Sequence, residues 1–168
     1  MKKKKIDNTY YKFTSENAKW LVLSLELWPR TEVIDWAEKI ISDNPDHNVI
    51  IATHSYLTSS AKIYQKSDYG HNSPQTLYDR IVSKYANIRF VFSGHVGTAA
   101  YRTDIGVNGN KIVSFLGCFH SNLSNPVQIL EIDTLLDSAS IRTFSPIDAT
   151  EWEEYAATIE NMDFILIE

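Results

Sequence analysis

Two short apolar runs, Val49–Thr53 and Ile88–Ser93, constrain the fold of this 168-residue chain more than any other feature. Both have the composition of buried strands, and each stops abruptly on a polar turn: Thr53-His54-Ser55-Tyr56 after the first, Ser93-Gly94-His95 after the second. Between them, Ser73-Pro74 supplies a hydroxyl cap and a proline at the first helical position. Leu77, Ile81 and Tyr85 then recur on one helical face, supported by Tyr78 and Val82. A strand–helix–strand unit crosses over right-handed and lays its strands parallel. His54 and His95 are therefore expected at the same edge of one sheet, the carboxyl edge, where α/β proteins bind ligands.

The flanking sequence extends that sheet. Thr9–Phe13 and Trp20–Leu27 read as a hairpin around Ser15-Glu16-Asn17. Val33, Trp36, Ala37, Ile40 and Ile41 recur at helical spacing, and Asn44-Pro45-Asp46 ends that helix. Thr58–Asn72 is polar and aperiodic, of the length that often covers a site. Beyond Tyr101 the pattern turns to strands: Tyr101–Ile105 and Lys111–Leu116 around the Gly106–Asn110 turn, then Val127–Ile132 and Ser140–Phe144. A short helix is expected over Glu151–Asn161 and an edge strand over Phe164–Ile167. The expected architecture is one α/β domain over residues 1–168, a mixed sheet with flanking helices and a β-rich C-terminal part.

Composition excludes several classes. A net charge of −5, with the one basic run confined to Lys2–Lys5, argues against a nucleic-acid partner. No apolar segment follows that run to make a signal peptide, and no window reaches the ~18 apolar residues of a membrane span. Cys118 is the single cysteine, which excludes an internal disulfide and a cysteine-rich zinc site.

Several side chains are candidates for chemistry. A histidine after a strand is either a structural hydrogen bonder or a ligand. Two on neighbouring strands bring a metal site into play, since neutral imidazole ligates Zn, Mn and Fe. His71, in the long loop, and His120, after Gly117-Cys118-Phe119, could approach such a site, whereas His47 lies in a polar turn. Arg102 and Asp104 follow the His95 loop and are either a phosphate-binding pair or an exposed ion pair. Cys118 reads as a core thiol. Gly94 lets the backbone turn sharply off the strand, and Gly106, Gly109 and Asn110 read as turn residues.

Thr53-His54-Ser55-Tyr56-Leu57 followed by Phe92-Ser93-Gly94-His95-Val96 resembles the calcineurin-like metallophosphoesterase family. Leu23–Leu27 leading into Val33–Ala37, Gly106–Val113 and Phe144-Ser145-Pro146 fit a bacterial branch of it, in order, from Tyr10 to Pro146. The resemblance implies half of a four-layer α/β/β/α sandwich. His54 would match the lone histidine after a strand and His95 the first histidine of a Gly-His-x-His motif. Both would ligate one divalent metal, Mn, Fe or Zn, of a dinuclear site that hydrolyses phosphate esters. The second histidine of that motif falls at Gly97, and the Asp-x-His, Gly-Asp-x-x-Asp and Gly-Asn-His-Asp/Glu motifs of the family's N-terminal half do not occur here. The resemblance thus implies a C-terminal half, with Arg102, Asp104 or His71 toward substrate. It also implies an apolar sheet face left open for a separate N-terminal half or a second copy. Two other readings stand beside it: a non-catalytic module that self-associates, and a mononuclear site completed by His71 or His120.

Overall fold

The structure, a computed structural model, describes residues 7–68, 70–119 and 124–167. Its larger sheet has six strands: β1 (Thr9–Ser15), β2 (Ala18–Leu25), β3 (Asn48–Thr53), β4 (Ile88–Ser93), β5 (Ala99–Ile105) and β6 (Lys111–Gly117). They are ordered β1-β2-β3-β4-β6-β5. The four central strands run parallel, while β1 and β5 are antiparallel edges. Three further strands, β7 (Val127–Asp133), β8 (Ser138–Phe144) and β9 (Ala157–Glu160), form a separate antiparallel sheet.

Helix α1 (Thr31–Ser42) joins β2 to β3 and buries Val33, Ile34, Ala37 and Ile41. Between β3 and β4, α2 (Pro74–Leu77) starts on the expected cap, with the Ser73 hydroxyl accepting from Thr76 N, and runs into a π-helical turn over Tyr78–Val82. Those helical residues pack with Leu21, Leu23, Val49, Ile51 and Val91 from one face of the larger sheet. The expected strand–helix–strand unit is therefore present, with β3 and β4 as direct parallel neighbours.

Alternate residues point to the other face, where Trp20, Phe90, Val113 and Phe115 meet Ala139, Ile141 and Ile159 of the smaller sheet. The sheet face expected to lie open is thus apolar, but over these residues it is covered by the chain's own C-terminal strands. Exposed aromatic side chains line edge strand β1, where Tyr10, Tyr11 and Phe13 are 45%, 69% and 39% exposed.

Two C-terminal expectations are corrected. Residues 151–161 do not form a helix: a 3-10 turn over Glu153–Tyr155 is followed by β9. Ala157 and Ile159 oppose Ile141 and Ala139 and point inward with them, a period of two that a helix cannot satisfy. Nor does Phe164–Ile167 form a strand. Its Phe164 ring packs on Trp20 and Phe90. The Asn48 carboxamide both accepts from Ile165 N (2.9 Å) and donates to Ile165 O (2.8 Å), and pairing with β2 is a single bridge between Leu166 and Ala18. Arg89 sits where the β3–β4 register slips by one residue; it is 3% exposed and donates to the carbonyls of Ala86, Ile88 and Asp163.

Candidate functional site

Parallel pairing of β2, β3, β4 and β6 brings their carboxyl ends to one edge, and each leads into a residue of interest: Glu26, His54, His95 and Cys118. His54, Gly94, His95, Gly117, Cys118 and Phe119 line a cavity of about 460 Å³. Gly94 N donates to His54 O (3.0 Å), which locks the two turns together. A Cβ at Gly94 would approach Gly117 O to 3.2 Å, so the residue type fits this close crossing of three strand ends.

The histidines meet. His95 Nδ1 lies 3.1 Å from His54 Nε2, with the rings edge to face. His95 has φ of 75°, a left-handed conformation that a β-carbon disfavours and that is concentrated at functional sites. The same spacing serves two chemical states. One neutral imidazole can donate its N–H to the other; alternatively both lone pairs can share a cation. Metal–nitrogen bonds of about 2.0–2.1 Å place two nitrogens about 2.9 Å apart at a right angle and about 3.3 Å apart at the tetrahedral angle. The observed distance lies between those two values.

Other candidates are placed elsewhere. Arg102 and Asp104 pair with each other, and Arg102 also donates to Ala61 O, so they tie β5 to the 58–63 loop and do not line the histidine cavity. His71 is exposed, with its backbone N–H donating to Trp28 O (3.2 Å). His47 bonds Asp46 in its turn. Cys118 is 7% exposed at the cavity wall. His120 lies outside the described residues. Among the described residues no group of three or more His, Cys, Asp or Glu side chains is arranged to hold a metal.

Gly97, where the resemblance would expect a second histidine, has no room for a side chain. Its φ is 74°, and a Cβ there would stand 2.8 Å from Ser59 Cβ. The 58–61 turn occupies the volume that a side chain at this position would need.

Two residues at the site carried no motif. Trp28 is 2% exposed at φ 46°, with its ring stacked on Tyr64 (5.9 Å) and turned against His95 (6.1 Å, 74°). Glu26 follows β2 directly. Its carboxylate accepts from Arg30 N, Nε and Nη2 and from Asn8 Nδ2, at 2.8–3.0 Å, and is thereby committed to structure. A Glu–Arg pair four residues apart was its available sequence signal.

The Arg30 guanidinium, first among these partners, lowers the Glu26 pKa from 4.5 to about 2. A carboxylate depressed on folding stabilises the native state above its unfolded pKa, and the contribution is lost as pH falls toward the folded one. Wild-type protein is therefore expected to lose about 1 kcal/mol more than Glu26→Gln between pH 5 and pH 2.5, the scale of a solvent-screened ion pair. Urea unfolding of both proteins across that range checks it; parallel pH curves would remove Glu26 as the acid-sensitive group.

No family model matches this sequence. Over 149 residues, covering 82% of the chain, it is 29% identical to the uncharacterized protein YvnB of Bacillus subtilis strain 168. The matched part is 11% of YvnB, so the chain spans about a tenth of that relative's length.

Proposed function

We propose that this chain carries the two-histidine side of a metal-dependent phosphoesterase site, in the manner of the C-terminal half of a calcineurin-like metallophosphoesterase. The supporting observation is the convergence of His54 Nε2 and His95 Nδ1 to 3.1 Å at the carboxyl ends of adjacent parallel strands. The α/β/β layering agrees with three of that sandwich's four layers. A bound divalent cation would polarise a phosphoryl oxygen and lower the pKa of a coordinated water. The chain's own contribution is positional: His54 and His95 present lone pairs to one point, Trp28 backs His95, and Gly94 and Gly117 keep the floor low.

Two neutral imidazoles supply no negative charge, and catalytic zinc sites have three protein ligands. The carboxylates that complete such a centre belong to a part of the site outside these residues. Weak, saturable Mn²⁺ or Zn²⁺ binding is therefore expected by calorimetry, and it should vanish in the His54→Ala, His95→Ala double variant. Unchanged affinity in that variant would remove both histidines from the assignment. Robust aryl phosphate hydrolysis by this chain alone with Mn²⁺ would overturn the half-site reading. One observation favours a second reading, a self-associating non-catalytic module: β1 is an open sheet edge bearing three exposed aromatic side chains. A dimer in sedimentation with no response to metal would support it.

A further inference from the structure

A second cavity adjoins the histidine cavity and has a different chemistry. It measures about 260 Å³ and lies between β5–β6 and the smaller sheet, with Tyr101, Phe115, Gln128, Glu154 and Tyr155 in its walls. The two cavities share a boundary. Gly117, in the histidine cavity, is the register partner of Ala99, in the second one. Phe119, on the histidine side, packs against the Tyr155 ring at 6.2 Å. Gln128 lies directly over Gly117, where a Cβ would come within 2.4 Å of Gln128 Oε1. Gln128 Nε2 donates to Leu116 O, which fixes the amide orientation and turns Oε1 into an acceptor with no hydrogen bond from the described residues.

We propose that this second cavity binds the ring of the phosphate ester's leaving group, a neutral aromatic or heteroaromatic system of one or two fused rings that carries an N–H donor. The assignment rests on the phosphoesterase reading for the phosphate end, but the ring site has its own argument. The volume falls below the ~300–1,000 Å³ of pockets for drug-sized ligands, so it matches one ring or a fused pair. Tyr101, 47% exposed, and Tyr155 offer aromatic surface for stacking. The fixed Gln128 carbonyl and the exposed Glu154 carboxylate are both acceptors, so they select a ring with a donor. Glu154 also repels anions, which directs a phosphate away from this cavity and leaves it at the histidine end.

Indole and benzofuran test this directly, because they share a shape and differ in the N–H. Neither carries a phosphate or needs a metal, so the ring test can fail while metal binding at His54 and His95 succeeds, and the reverse. Amide-resolved NMR titration of the whole chain is expected to show saturable indole binding centred on Tyr101, Gln128 and Tyr155, with benzofuran at least fivefold weaker. Gln128→Leu should cut the preference for indole at least twofold, with Glu154 left as an acceptor, and Glu154→Gln should bind indole-3-carboxylate more tightly than the wild-type chain does. Equal binding of indole and benzofuran to wild-type protein, absence of binding, or an unchanged preference in Gln128→Leu would overturn the proposal. Retained amide dispersion in each variant separates loss of the site from loss of the fold.

Discussion

Trp28→Ala is expected to lower the unfolding free energy by about 3–5 kcal/mol, the range for emptying a buried aromatic site, and to abolish the metal binding proposed for His54 and His95. The residue joins three parts of the molecule. It leaves β2 at φ 46°, and its ring is enclosed by Tyr64 on one side and His95 on another. Gly70 passes so close that a Cβ would lie 2.5 Å from Trp28 Cβ, and His71 N donates to the Trp28 carbonyl. The tryptophan thus holds the 58–72 loop and the His95 ring in place together. Trp28→Phe keeps a ring in the enclosure and should retain most of both properties. Denaturant unfolding followed by metal titration checks the pair of variants. If the alanine variant unfolds at the wild-type midpoint, Trp28 does not hold these parts together; full metal affinity in a folded variant would show that His95 does not need its support.

Gly97→His restores the resembling family's motif on paper, yet it is expected to destabilise the protein by about 2–5 kcal/mol and to leave metal affinity no higher. A left-handed backbone costs a residue with a β-carbon roughly 1–2 kcal/mol, and overpacking adds about 1–3 kcal/mol. Both apply, because φ is 74° and Ser59 Cβ stands 2.8 Å from where a Cβ would be. Thermal unfolding and calorimetric Mn²⁺ titration of Gly97→His test the two halves separately. Tighter metal binding in this variant would mean that the 58–61 turn yields readily.

Much of the parallel core was legible, because its strands are bounded by strong signals. The Ser73-Pro74 helix start and the abrupt ends at Thr53 and Ser93 located β3, α2 and β4 and brought His54 and His95 to one edge. The C-terminal quarter was harder for a physical reason. Glu151–Asn161 carries acidic residues suited to a helix N-terminus, and only pairing with β8 reveals the inward alternation of Ala157 and Ile159. Phe164–Ile167 has strand composition, but the Asn48 carboxamide takes the Ile165 backbone bonds and limits pairing with β2 to a single bridge between Leu166 and Ala18. Of the site, sequence yielded the two histidines and missed Trp28, whose strained turn depends on contacts from Tyr64 and Gly70. Arg102 and Asp104 follow the His95 loop in sequence, but β5 runs away from the carboxyl edge and carries them toward Ala61.

The Asn48 clasp also sets an order of events during synthesis. It joins residues 117 positions apart, while β2, β3 and β4 can pair well before Ile165 exists. Such distant contacts close slowly, because the loop entropy is lost before the contact forms. Strands β8 and β9 cover part of the face around Trp20 and Phe90, but the Phe164 ring is added only after them, so until it docks that part of the nascent sheet is more exposed to aggregation. A chain that lacks Phe164 and Ile165 is therefore expected to be recovered less soluble than one that carries them, with the histidine edge unchanged in sequence.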